Sequence, residues 1–225
     1  MNIVAIIPAR KGSKSVRNKN IAIYKNRPLI YHSIKTALDI ELIDRIIVST
    51  NSEKYRKIAK SYGAEAPFLR PEYISKNTSL DRDFLKHAYN FLKLKEDYKT
   101  DLFILLRPTT PNRKKNVLIN GIKFFLKNIH KADSMRSLSL FNQPAEKFFY
   151  KQGMFLKGYF DKTLKGEYHS LPRQKFNKTY LPNGYIDILK PNYFLNKKKR
   201  LFGKKILAYI TEETTDIDTK NDFLK

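Results

Sequence analysis

The chain of 225 residues predicts an α/β protein, a mostly parallel mixed sheet with helices on both faces. Three observations carry that prediction. Short apolar or β-branched runs alternate with segments of helical period along most of the chain. The first run, Ile3-Val4-Ala5-Ile6-Ile7, is apolar at every position, as a strand covered on both faces must be. It empties at once into a polar loop, and open α/β sheets hold their ligands beyond the C-terminal ends of such strands.

The elements follow in order. Residues 28–40 read as a helix: Pro28 suits a first turn, and Leu29, Ile30, Ile34, Ala37 and Leu38 share a face. Residues 45–50 form a β-branched strand. Asn51 or Ser52 caps the next helix, which ends at Gly63. A further helix begins near Arg82, with Asp81 as a candidate cap. Residues 101–106 are a strand leading into Arg107-Pro108-Thr109-Thr110-Pro111, and 112–127 a helix. Strands follow at 134–141, 183–189 and 205–210. The stretch 142–182 breaks the rhythm, being rich in aromatic, glycine and basic residues without a long helical period. It reads as a small inserted arm or lid on a single domain spanning 1–225.

Composition narrows the function. Lys and Arg number 45 against 21 acids, a formal charge of +24. Such a balance raises nucleic acid or another polyanion as a partner. Yet the lysines are spread along the chain, with one tight cluster at Lys197-Lys198-Lys199-Arg200, and no nucleic-acid-binding signature accompanies them. Abundant Lys, Asn, Ile, Tyr and Phe together fit a compositional bias, so a nucleic-acid partner is disfavoured. Zero cysteines exclude disulfide and thiolate chemistry. No run approaches the ~20 apolar residues of a membrane span, and the start reads as a strand and not a signal peptide. The expectation is a soluble cytoplasmic protein.

Chemistry concentrates at the two ends of the chain. The loop after the first strand carries Arg10, Lys11, Lys14, Arg17 and Lys19, one glycine (Gly12) and no acid. Backbone N–H groups near a glycine can approach phosphate oxygens, and the cations neutralise them. The loop is neither a Walker P-loop nor a dinucleotide fingerprint, since the required further glycines are missing. Near the other end, Asp216 and Asp218 are two apart, so an extended segment projects both to one side. One or two carboxylates together with substrate phosphates are the usual setting of Mg²⁺.

The order Ile-Ile-Pro-Ala-Arg-x-Gly-Ser-Lys…Lys-Asn, over residues 6–20, resembles the opening signature of the CMP-sugar synthetases, the acylneuraminate and 3-deoxy-octulosonate cytidylyltransferases. Later segments match in order: Arg27-Pro28-Leu29-Ile30; Ile47-Val48-Ser49-Thr50-Asn51, with Asn51 for a usual aspartate; Tyr62-Gly63-Ala64 running to Arg70-Pro71; Leu105 to Arg113; Leu171-Pro172-Arg173-Gln174; Pro182-Asn183-Gly184; and Asp216-Ile217-Asp218-Thr219. The resemblance covers nearly the whole chain and is nearest the CMP-sialic acid synthetase type. It implies a Rossmann-like nucleotide-diphospho-sugar transferase fold, Mg²⁺ as cofactor, and a homodimer in which the arm closes the partner's site.

The resemblance also implies roles. Arg10 and Lys19 would grip the triphosphate of CTP, with Ala9, Gly12, Ser13 and Asn20 beside the nucleotide. Arg70 would contact cytosine, and Ser79 and Asp81 the base and ribose. Arg107, Thr109, Arg173, Gln174, Asn183 and Asp187 would line the sugar end, and Asp216 and Asp218 would hold the metal. Arg107 replaces a usual glutamine and Tyr185-Ile186-Asp187 a common Ala-Ile-Tyr, so departures cluster at the sugar end. The expected reaction is Mg²⁺-dependent transfer of CMP from CTP to the hydroxyl of a nonulosonic or octulosonic acid. Two alternatives stay open: a non-catalytic nucleic-acid-binding protein, which predicts steep salt dependence, and a related nucleotidyltransferase with another nucleotide or a neutral sugar. His32, His87, His130 and His169 show no ligand spacing.

Overall fold

A computed structural model describes residues 1–196, 198 and 200–224, so Lys197 and Lys199 of the basic cluster lie outside the described residues. A six-stranded sheet forms the centre. Its strands are β1 (Ile3–Pro8), β4 (Arg45–Ser49), β5 (Leu102–Leu105), β6 (Ser134–Phe141), β9 (Thr179–Leu189) and β10 (Ile206–Ile210), in the order β10-β6-β9-β5-β1-β4. β1 pairs in parallel with β4 and β5, and β6 with β10. Only β9 runs against its neighbours, between β5 and β6. Five strands therefore point their C-terminal ends the same way, and the sheet is mixed but mostly parallel, as expected.

Alternation along β1 shows why the sheet is covered on both faces. Ile3, Ala5 and Ile7 join one core with α1 (Leu29–Leu38), α2 (Glu53–Ser61) and α4 (Lys115–Lys127), through Ile34, Tyr55, Ala59, Leu118 and Phe125. Val4 and Ile6 join the other with α3 (Asp81–Lys95) and α5 (Pro191–Leu195), through Phe84, Leu85, Leu92 and Phe194. Every residue from Ile3 to Ile7 is therefore buried.

The helices begin where local chemistry allows. Ser52 caps α2, its Oγ accepting the Tyr55 N–H at 3.5 Å. At α3 the cap is Asp83 and not Asp81: its carboxylate accepts the Leu80 N–H at 3.0 Å, while Asp81 turns to Arg107. α4 starts at Lys115, three residues later than the sequence pattern indicates, because the Arg113 guanidinium is drawn into the protein and Lys114 stays extended. Leu38, placed on the apolar face of α1 by its spacing, is exposed. A two-residue hairpin, β2 (Ile23–Tyr24) with β3 (Arg27–Pro28), precedes α1, and Pro28 is its N-cap residue.

Residues 142–178 hold an antiparallel hairpin, β7 (Phe149–Gln152) with β8 (Phe155–Gly158), and short 3₁₀ turns. β9 begins at Thr179, four residues before the strand that periodicity indicates, because its first half pairs with the last half of β6. The hairpin leaves Met154, Phe155, Leu156 and Tyr159 exposed. No helix among the described residues is long and apolar enough to cross a membrane.

Candidate active site

The C-terminal ends of β1 and β5 open onto one cleft of about 240 Å³, and Ser49 at the end of β4 holds its Arg70 wall from behind. Its walls include Arg10, Ser13, Lys19 and Asn20 from the loop after β1, and Arg70, Lys76, Ser79 and Asp81 from the approach to α3. Arg107 and Thr109 close it from the loop after β5. Five cations face one carboxylate, Asp81, around this lining. A cleft so charged suits an anionic ligand and repels a cationic one.

The loop after β1 is tied down at several points. Gly12 sits at φ +88°, a conformation other residues resist. The Lys11 N–H donates to Asn51 Oδ1 at 2.8 Å, and the Asn51 amide donates to Glu72 at 3.0 Å. The buried Asn20 amide donates to the Arg10 carbonyl at 3.0 Å, and the Tyr55 hydroxyl to Asn18 Oδ1 at 3.1 Å. Ala9 is buried, its N–H donating to the Ser49 carbonyl. Arg10 then reaches across the cleft, its guanidinium donating to Asn77 Oδ1 at 2.6 Å and to the Gly12 carbonyl at 3.1 Å.

Lys19 meets the C-terminal segment. Its Nζ lies 2.8 Å from Asp218 Oδ1. Ile217 is fully buried against Tyr24 and Leu29, and its N–H donates to the Thr109 carbonyl at 2.7 Å. That anchor leaves Asp216 and Asp218 on the exposed side beside the cleft. Removal from water among its neighbours raises the Asp216 pKa, and the charge of Asp218 adds to the rise, while a hydrogen bond from the Thr109 side chain and the charges of Lys19 and Arg107 oppose it. Two carboxylates with hard oxygens, next to a cation-lined cleft, fit a magnesium ion whose remaining ligands are phosphate oxygens and water. Among the described residues no group of three or more acidic or histidine ligands forms.

Arg70 is buried, not a cation at a helix end. Its Nε donates to Ser49 Oγ at 3.0 Å and its Nη2 to the Ser49 carbonyl at 2.6 Å, over the Phe84 ring. Desolvation, and then the nearby charge of Arg10, push its pKa down to about 10 against the pull of Asp81. Ser79 closes its own turn, its Oγ accepting the Lys76 N–H at 3.0 Å.

The sugar-end residues divide. Arg107 and Thr109 line the cleft. Asp187 lies sealed in the sheet, with one oxygen on Arg107 and the other on Arg136, so it offers no free carboxylate to a ligand. The Asn183 side chain is spent on Thr211, Glu212 and the Tyr185 N–H, fastening β9 to the strand end beyond β10. Arg173 and Gln174 line a separate groove with Leu140, Phe141 and Phe176, at the root of the arm.

Arg113 is a residue whose role sequence reasoning did not supply. It is buried, has no carboxylate partner among the described residues, and donates to the carbonyls of Arg107, Thr110, Gly184 and Tyr185 and to Ser33 Oγ. Burial, and after it the charge of Arg107, bring its pKa down to about 9. The arginine thus staples the loop that carries Arg107 and Thr109 onto β9 and α1. Its place at the end of the Leu105–Arg113 motif was the available signal.

Comparison with known proteins bears on this geometry. Residues 4–91 match the family model described as cytidylyltransferase. The N-acylneuraminate cytidylyltransferase of Escherichia coli O18:K1:H7 is 36% identical over 98% of this chain and 50% of its own length. The post-translational flagellin modification protein B of Campylobacter coli is 30% identical over 98% of this chain and 92% of its own. The chain belongs to the cytidylyltransferase family of CMP-sugar synthetases. It spans about half the length of the E. coli relative. The structure of CMP:2-keto-3-deoxy-manno-octonic acid synthetase complexed with CTP shares the fold, with a TM-score of 0.71 at 13% identity, over 98% of this chain and 95% of that one.

Proposed function

We propose that this chain transfers CMP from CTP to a hydroxyl of an acidic sugar, of the nonulosonic or octulosonic acid class. The acceptor oxygen bonds to the α-phosphorus, the bond to the β-phosphate breaks, the hydroxyl proton is lost and pyrophosphate leaves. The observation that carries this reading is the cleft itself. Five cations and a glycine-bearing loop stand at the strand ends, flanked by a carboxylate pair, in a chain whose relative is named N-acylneuraminate cytidylyltransferase.

The roles follow from position. Arg10 and Lys19 draw in the triphosphate and stabilise charge on the leaving pyrophosphate. Ala9, Gly12, Ser13 and Asn20 shape the loop around it. Arg70, Ser79 and Asp81 form the wall suited to the base and ribose. Arg107 and Thr109 face the acceptor. Asp216 and Asp218 would hold Mg²⁺, which when bound supplies charge neutralisation across the phosphates. In the free protein Lys19 neutralises Asp218, and its ammonium would turn from that carboxylate to the phosphates of CTP.

Residues 142–182 form a dimerisation arm in this proposal. Large exposed apolar patches mark interfaces, and Met154, Phe155 and Leu156 are 84%, 67% and 68% exposed. A homodimer would bury them and set Arg173 and Gln174 against the partner's cleft. The experiment is pyrophosphate release from CTP with Mg²⁺ and a panel of 2-keto-3-deoxy sugar acids beside neutral sugars. Release with an acid and not with neutral sugars supports the proposal. Release with neutral sugars alone, or with none, refutes it.

A further inference from the structure

Asp187 stands on β9 directly opposite Leu105 of β5 and Arg136 of β6. Its side chain is 2% exposed. Oδ2 accepts from Arg107 Nη1 at 2.8 Å and Oδ1 from Arg136 Nε at 3.2 Å. Arg107 turns its other nitrogen, Nη2, to Asp81 Oδ2 at 2.5 Å. Arg136 in turn lies over the Phe202 ring, 4.3 Å from its centroid. Four charges thus alternate in sign from β6 to the first residue of α3, and they sum to zero.

We propose that Arg136, which does not line the cleft, is a positioning residue for the acceptor end, fixing Arg107 through the buried Asp187. This rests on the proposed transferase reading. A buried carboxylate left with too few partners is strongly unfavourable. Two guanidinium groups satisfy Asp187, so Arg107 holds it with one nitrogen and keeps the other for Asp81. Without Arg136, the uncovered Asp187 oxygen draws both Arg107 nitrogens inward. Asp81 is released, and the guanidinium leaves the cleft wall on the acceptor side. The Arg10 and Lys19 contacts share no member with this chain of charges and stay in place; Asp81, whose charge also acts on Arg70, is its one link to the nucleotide wall.

The test is a set of variants, Arg136→Met, Arg136→Lys and Asp187→Asn, with the double variant Arg136→Met/Asp187→Asn. Kinetics on an acid that wild type accepts should show the acceptor KM rising about 10-fold in Arg136→Met, the scale of a modest misplacement. The KM for CTP should rise several-fold less than that of the acceptor, since Arg10 and Lys19 keep their contacts and only Asp81 of the nucleotide wall is released. Arg136→Lys, which keeps one donor toward Asp187, should recover part of the loss. Equal shifts in both KM values, or none, overturn the inference. Melting temperatures test the network without any reaction: the two single shifts should sum to more than the double shift, because both variants break one chain of charges. Additive melting shifts overturn the network. If wild type uses no sugar acid, the transferase reading fails while the melting cycle still decides the network.

Discussion

Arg113→Met should destabilise the protein and disable the cleft together. The substitution keeps an unbranched apolar side chain and removes the guanidinium. The carbonyls of Thr110, Gly184 and Tyr185 then lose this donor, and that of Arg107 keeps only the Thr110 N–H and the Ser33 hydroxyl. Each unsatisfied buried acceptor costs about 1–3 kcal/mol. Two terms reduce the sum. Some carbonyls rehydrate as the loop relaxes, and a desolvated cation, whose burial shows in its pKa of about 9, no longer has to be buried. The net loss is about 3 kcal/mol, within the range for breaking a buried polar network. In a chain of this size that lowers Tm by roughly 6–12 °C. The loop bearing Arg107 and Thr109 would also drift, and a shift of about 1 Å near a reacting centre costs ~100-fold in rate. Calorimetry and kcat/KM for CMP transfer are the assays. Arg113→Lys should fall between the two, since one ammonium cannot reach all four carbonyls. A Tm within about 2 °C of wild type with full activity would refute the staple.

Arg10→Ala and Lys19→Ala should each remove most CMP transfer while moving Tm by no more than a few degrees, because partly buried cations whose partner carboxylate or amide stays open to water contribute little to stability; transfer assays with calorimetry would show it. EDTA should stop pyrophosphate release, Mg²⁺ should restore it, and Asp218→Asn should abolish the restoration; activity undiminished in EDTA rules the metal out. Phe155→Asp/Leu156→Asp should convert a dimer to a monomer in sedimentation, and a wild-type monomer at micromolar concentration contradicts the arm's proposed role. Backbone N–H donors at Lys205, then the Tyr193 hydroxyl, lower the Asp133 carboxyl to about 2. Its contribution is therefore full above the ordinary carboxylate range of about 4 and is lost as pH falls through about 2. Asp133→Asn should flatten the acid limb of a Tm-against-pH curve between those values.

Local signals made much of this molecule legible. The all-apolar run before Arg10 declared a strand buried on both faces, and the glycine and cations after it marked the cleft. The Asp216-x-Asp218 spacing placed two carboxylates on one side, and the fold brings them to Lys19 across most of the chain's length. What stayed illegible depends on pairings that spacing does not encode. Asp187 reads as a free carboxylate until β9 is seen wedged antiparallel between β5 and β6, where Arg107 and Arg136 close over it. Asn183 reads as a site residue, yet it is consumed by the Thr211 hydroxyl, the Glu212 carbonyl and the Tyr185 N–H, and Arg113 is consumed chiefly by carbonyls of distant elements. The start of α4 departs from the local helical pattern because a tertiary demand on Arg113 overrides it. α5 is too short, at five residues, for a period to show.

The central claim is best tested by ³¹P NMR of the reaction itself. The protein, CTP, Mg²⁺ and a 2-keto-3-deoxy sugar acid should give a phosphodiester resonance for the CMP-sugar and pyrophosphate in equal amounts. Neither should form when the acid is omitted. CTP that persists unchanged with every acid, or that is hydrolysed equally without one, would contradict the account.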